Sequence, residues 1–361
     1  LHPSTAHRIL NDLAVGGLVE RSGPGAYRLG IRLLTLGNLV KSRLDVRELA
    51  VRPAGGEWRV LGQDLTPEFT VQTGRRRIDF TGLNPLKALG IDTTSREVIE
   101  RQGWVAFWDA PFVVPGDPKR NVDLPRTSEE IQRAPAIFNT TSCEVKTDGA
   151  RLEVSFSGLS MGIFAGGLRF THYRGTNLLR LEAIAKTGKN LVAYKYDAGL
   201  KGFSTARLPR VRWHDTGGNP QDHRFGGARH DGPVTTRAKN RVLIAEGGSG
   251  SVAIFPPPTV FFPAREVDTN LGYVWYRKDA DTGYAIGVKQ ANQEDDLRYL
   301  QNFALYNAPP ETWQRMATYF YVSPEAASAT RAAVMAFTRD DRFAPIPGYK
   351  TMVNHFHLQF T

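Results

Sequence analysis

The segment Arg151-Leu-Glu-Val-Ser-Phe-Ser157 alternates apolar and polar residues without a break. That spacing fits a strand with one buried and one wet face, because successive side chains leave opposite sides of an extended backbone. The same signal returns at residues 167–173, 191–196, 241–245, 251–255 and 272–277. Gly, Asn, Asp and Pro fill the gaps between these runs, and each of them turns a chain for a definite steric reason. The pattern predicts a mainly β fold. Its body is expected to be a large antiparallel β-sandwich over residues 57–343, and 41% hydrophobic residues suffice to build its core.

The N-terminal stretch follows a different period. In Pro3-Ser-Thr-Ala-His-Arg-Ile-Leu-Asn-Asp-Leu-Ala-Val-Gly-Gly17, Ser4 or Thr5 is placed to cap a helix, and Ala6, Ile9, Leu10, Leu13 and Ala14 share one stripe. Gly16 and Gly17 stop it. The opposite face carries Ser4, His7, Arg8 and Asn11, all able to hydrogen-bond phosphates or base edges in a major groove. Leu18-Val-Glu-Arg21 and Ala26-Tyr-Arg-Leu29 then flank Ser22-Gly-Pro-Gly25, which predicts a short hairpin with a tight tip.

These residues resemble the IclR family of bacterial transcriptional regulators. The matching positions are Ser4, Thr5 and Arg8 of the recognition helix, Gly17, Val19 and Glu20 at the start of the wing, and Tyr27, Leu29 and Gly30 at its end. The resemblance implies that Ser4, Thr5, His7 and Arg8 meet duplex DNA, with Asn11 on the same helix face, and that residues 31–49 form a linker helix. It also implies a cytoplasmic location. Residues 1–50 are thus expected to be a partial winged helix-turn-helix with its linker, and Arg52-Pro-Ala-Gly-Gly56 breaks the helical pattern as a domain boundary would. The two helices that precede the recognition helix in that family have no counterpart here, so a composite or truncated protein is expected.

Within the body, Gly158-Leu-Ser-Met-Gly162 matches the Gly-x-Ser-x-Gly pattern of a hydrolase nucleophile elbow. That device needs a helix after the turn. Gly166 and Gly167 instead sit where the helix would begin, which predicts a hairpin and no nucleophile. The stretch 213–232, read as a loop, holds His214, Asp215, His223 and His230, and imidazoles beside carboxylates can ligate a divalent metal or work as acid and base on a ligand. Trp213, Tyr273, Trp275 and Tyr276 offer stacking surfaces for a sugar, and a sandwich of this size resembles carbohydrate-active supersandwich domains. No complete active site is expected.

A C-terminal helix is predicted over residues 323–337, with Ser323 as its cap and Pro324 in its first turn. In the strand expected at residues 349–361, His355 and His357 share one face, as a His-x-His pair must to serve one metal ion. That strand resembles the opening strand of metal hydrolases of the PHP and amidohydrolase type. Three functions follow: a DNA-binding regulator joined to a β-sandwich, the non-catalytic front of a metal-dependent hydrolase, and a carbohydrate-binding protein. Lys and Arg exceed Asp and Glu by 46 − 36 = 10, which favours anionic partners in general. No apolar run approaches the roughly 18 residues of a membrane span. Cys143 stands alone, so no internal disulfide forms.

Overall fold

A computed structural model describes residues 14, 19–23, 26–29, 47–75, 87–92, 94–95, 97–98, 111–112, 132–140, 142–190, 192–258, 273–289, 302–303, 306–341 and 347–349. The chain divides into two compact units, Leu1–Glu48 and Leu49–Thr361. In the first, Ala14 is helical. The hairpin expected after it is present as β1 (Val19–Gly23) and β2 (Ala26–Leu29), antiparallel with Val19 opposite Leu29. Ser4, Thr5, His7, Arg8, Asn11 and residues 31–46 of the expected linker helix lie outside the described residues, as do His355 and His357.

The second unit opens with a hairpin, β3 (Leu49–Val51) and β4 (Arg59–Gly62), joined through Arg52 to Gly56. The Gly56 N–H donates to Pro53 O at 3.0 Å, so the stretch expected at a domain boundary turns the chain inside this unit. The strands that follow are β5 (Thr66–Arg75), β6 (Pro111–Phe112), β7 (Gln132–Pro135), β8 (Ile137–Phe138), β9 (Cys143–Thr147) and β10 (Arg151–Met161). Next come β11 (Phe164–Tyr173), β12 (Leu178–Lys186), β13 (Val192–Ser204), β14 (Arg210–His214), β15 (Pro220–Arg224) and β16 (Val234–Arg237). The last are β17 (Leu243–Gly247), β18 (Gly250–Phe255), β19 (Tyr273–Lys278), β20 (Gly283–Lys289), β21 (Asn302–Phe303), β22 (Tyr306–Ala308) and β23 (Gln314–Ser323), followed by the helix α1 (Ala327–Thr338).

Among the described residues a ten-stranded antiparallel sheet runs β15-β14-β17-β18-β23-β12-β11-β10-β8, with β9 also on β10. A seven-stranded sheet runs β16-β19-β20-β13-β5-β7, with β22 also on β13. The fold is therefore a mainly β, antiparallel β-sandwich. Its two inner faces bring Leu181, Ala183, Met316 and Phe320 of the large sheet toward Phe69, Val71, Tyr194 and Tyr196 of the small one, all nearly or fully buried. Each such large side chain contributes about 1.5–3 kcal/mol by leaving water. Tyrosine hydroxyls fasten the layers: Tyr196 donates to Ala317 O at 2.8 Å and Tyr194 to Gln314 Oε1 at 3.0 Å. Burial raises the pKa of both phenols, so they stay neutral donors.

On the outer face of the small sheet, Trp275 stands opposite Gly287 and lies flat over it. A Cβ at Gly287 would fall 2.2 Å from the indole, so glycine is what gives the ring its place on the sheet.

The pattern around Ser160 resolves as a hairpin. Gly158, at φ +88°, forms a bulge, and Gly162, at φ +59°, turns the tight connection from Met161 to Phe164. Ser160 sits inside β10, opposite Ala165 and Ile137, in a sheet position with no helix behind it. Helix α1 packs on the outer face of the large sheet through Ala327, Thr330 and Val334, against Leu178, Val242, Ile244, Ala253 and Phe255. Its start differs from the expected cap at Ser323. Strand β23 keeps Ser323 paired to Ser251, and the Ala327 N–H is capped at 2.8 Å by Glu246 Oε1, a side chain from β17.

Candidate functional site

Among the described residues helix α1 covers one end of the outer face of the large sheet. Along β10, β11, β12 and β23 the alternation that sends leucines inward sends Glu153, Ser155, Ser157, Arg169, Arg180, Glu182 and Arg315 outward. These strands floor a cleft of about 610 Å³. Ser142, Ser155, Ser157, Arg169, Trp313 and Arg315 line it, and Gly166 and Gly167 add no side chain to its floor. A Cβ at Gly167 would fall 2.6 Å from Phe156 O, so the close strand approach there requires glycine.

Glu182 organises the charges of the cleft. Its side chain is 0% exposed, and both oxygens are claimed. Arg315 donates Nε to Oε1 at 2.9 Å and Nη2 to Oε2 at 2.7 Å, the fork geometry that a guanidinium makes with a carboxylate. Arg180 Nη2 closes on Oε1 at 2.6 Å, while its own Nε is buried without a partner. The bonds to Glu182 raise the pKa of Arg315 above its ordinary value, so it remains a fixed cation. Two strands away Arg169 donates Nε to Ser155 Oγ at 3.0 Å and reaches Glu153 at 3.5 Å. At the rim Trp313 is 58% exposed, with the Lys186 ammonium 5.5 Å from its ring centre and paired to Glu311. The cleft thus sets fixed cations, hydroxyls, the carboxylate of Glu144 and one exposed aromatic plate on a largely apolar ground that includes Phe156, Leu168 and Ile184.

Sequence reading missed this set because Leu178-Leu-Arg-Leu-Glu-Ala-Ile-Ala-Lys186 mixes helix-forming residues with apolar ones. The usable signal was Arg180-x-Glu182, a pair two residues apart that a strand places on one face.

The stretch 213–232, expected as a loop, contains half a hairpin. Strands β14 and β15 pair with Val211 opposite His223 and His214 opposite Pro220. Asp215 closes the turn between them, accepting the Asn219 N–H at 2.9 Å and the Gln221 amide at 3.1 Å, and these bonds, the backbone one foremost, lower its pKa. By strand alternation His214 and His223 point to opposite faces. His223 stacks on Tyr276 with ring centres 4.8 Å apart, and His230 meets its edge at 5.8 Å. His230 Nδ1 accepts the Lys278 N–H at 3.2 Å, which leaves the ring proton on Nε2. The structure thus brings His223 and His230 together and leaves His214 and Asp215 apart from them. Among the described residues no three His, Cys, Asp or Glu side chains converge as a metal site.

The same geometry sets a pH dependence. Burial, then the neighbouring His230, lowers the pKa of His223 below 6.5, and burial followed by Arg331 and Lys239 does the same for His214. Both are therefore neutral in the folded protein while the unfolded chain still binds protons, so their contribution is complete above pH 6.5 and is lost as pH falls from there through the lowered values. Thermal melts from pH 8 to pH 5 should show that decline, and His223→Phe, which keeps the stack on Tyr276, should flatten it. An unchanged slope in the variant would remove His223 from the account.

No family model matches the chain. Among the described residues no helix is long and apolar enough to cross a membrane. In solved structures the chain is similar to a Klebsiella pneumoniae protein described as an aldose 1-epimerase, with 10% identity, 63% of this chain and 66% of that one covered, and a TM-score of 0.34. It is also similar to a glycosyl hydrolase family 38 protein from Enterococcus faecalis, with 10% identity, coverage of 82% and 30%, and a TM-score of 0.35. In sequence, 47 residues, 13% of this chain, are 40% identical to the HTH-type transcriptional regulator KipR of Bacillus subtilis, and the match spans 19% of that regulator's length.

Proposed function

We propose that the N-terminal unit is a DNA-reading segment of the IclR type and that the chain joins it to a β-sandwich binding platform. The observation that carries the reading is the β1–β2 hairpin, which directly follows a stretch patterned as a recognition helix. The 47-residue likeness to an HTH-type regulator supports it. In this reading Ser4, Thr5, His7, Arg8 and Asn11 face the major groove, and Arg8 makes the strongest contact because its fork can bind a guanine edge or a phosphate in two places. Mobility-shift assays of the full chain on a random duplex pool should show complexes at low salt that weaken steeply as salt rises. Arg8→Ala should reduce affinity by about tenfold or more. Absence of any shifted duplex at low salt would sink the reading.

A second reading concerns the sandwich: it binds carbohydrate. The exposed indole of Trp313 at the rim of a hydroxyl-lined cleft favours it, since such a plate takes the apolar face of a sugar ring while neighbouring side chains take its hydroxyls. In the full chain, a glycan array is the first measurement. The pair His355 and His357 and the hydrolase alternative have no comparable support.

A further inference from the structure

We infer that the cleft on the outer face of the large sheet selects a saccharide residue bearing an anionic group, a uronate or a sulfated sugar. The inference rests on the carbohydrate reading of the sandwich and goes further by naming the charge of the ligand. The first argument is charge balance. One buried carboxylate, Glu182, is shared by two guanidinium groups, Arg180 and Arg315, so this cluster keeps one positive charge, while the neighbouring carboxylates Glu153 and Glu144 pair with Arg169 and Lys146.

The second argument is the set of unused donors. Arg315 spends Nε and Nη2 on Glu182, and Arg169 spends Nε and Nη1 on Ser155 and Glu153, so each keeps an outer amino group without a partner among the described residues. Glu182 holds Arg315 rigid before any ligand arrives, so little side-chain freedom is lost on binding.

The third argument is shape. Arg169 on β11 and Arg315 on β23 are separated by one strand, about 10 Å across the sheet. That distance accommodates a pyranose with its substituents between the two cations. Trp313, just ahead of β23, and Arg315, within it, both line the cleft and offer it an aromatic plate and a cation, which suits a ring with one apolar face and one charged substituent. Ser142, Ser155 and Ser157 supply hydroxyls along the opposite wall. A bare phosphate or carboxylate would leave the plate unused, and a neutral sugar would leave the cations unused.

Calorimetric titration of the full chain tests this with oligogalacturonate, heparin fragments, neutral galacto- and gluco-oligosaccharides, and acetate and sulfate alone. Binding of either acidic saccharide at least about tenfold tighter than the neutral ones, weakened about tenfold by Arg315→Gln or Arg169→Gln, is the expected result. Trp313→Ala, at an exposed position where the fold is not at stake, should weaken the same ligand by a similar factor and weaken sulfate alone not at all. Equal binding of neutral and acidic saccharides overturns the inference while leaving the carbohydrate reading in place. Equal binding of acetate or sulfate alone overturns the saccharide part, and no binding of any saccharide overturns both.

Discussion

Glu182→Ala should lower the melting temperature of the sandwich by roughly 5–10 °C, corresponding to about 3 kcal/mol. Glu182 is fully buried and pairs with both Arg180 and Arg315, so its removal leaves two guanidinium groups facing each other across the empty position. Breaking a buried ion pair from one side typically costs about 3–5 kcal/mol. The lower end applies because the Arg315 and Arg180 side chains are 48% and 24% exposed and recover part of their hydration. Glu182→Gln should cost about half as much, since the amide oxygen still accepts one bond.

The control is the simultaneous change of Glu182, Arg180 and Arg315 to methionine. It removes the charges together, so its stability should lie close to that of the parent protein while anion binding in the cleft disappears. Thermal unfolding followed by circular dichroism checks both variants. An unchanged melting temperature for Glu182→Ala would mean that the three side chains do not act as a unit.

Glu246→Ala should destabilise the protein by about 2–3 kcal/mol through a different route. Its Oε1 caps the Ala327 N–H at 2.8 Å, and its Oε2 lies 2.8 Å from Arg210 Nε and 3.0 Å from Arg212 Nε without a directed hydrogen bond. The side chain is 6% exposed, so the cations and the helix end would lose a partner that water reaches poorly. Hydrogen exchange should show the amides of the first turn of α1 opening sooner, while those of β13 and β5 in the other sheet keep their protection. Equal acceleration in both places would make Glu246 a general contributor to stability with no special role at the helix. Glu246→Gln separates the two jobs, because the amide oxygen retains the cap and forfeits the ion pairs.

Strand identity was legible wherever one face of the sheet is wet. At Arg151–Met161 each inward residue is followed by a polar outward one, and the pattern is visible before any contact is known. It fails at Leu178–Lys186, which lies mid-sheet with buried residues on both faces, so its apolar positions no longer alternate cleanly. The hairpin at Arg210–His214 and Pro220–Arg224 was hidden for another reason. Its second strand, Pro-Gln-Asp-His-Arg, has a loop-like composition and is held by its pairing with β14. The helix cap was misplaced because the acceptor comes from a residue 81 positions away.

The candidate site divides in the same way. His214, Asp215, His223 and His230 are close in sequence, but period 2 sends His214 and His223 to opposite faces and a turn engages Asp215, so closeness along the chain brought only His223 and His230 together. Glu182 and Arg315 are 133 positions apart and meet because β12 and β23 are neighbours in the large sheet. What the sequence determined by itself is the local and periodic: the β class, the hairpin tips, the helix after β23, and the excess of positive charge. Only the tertiary structure decided which charges share a carboxylate and which side chains meet on one face of the sheet, because both depend on strand order, and strand order is set by the burial of whole faces and not by any local run of residues.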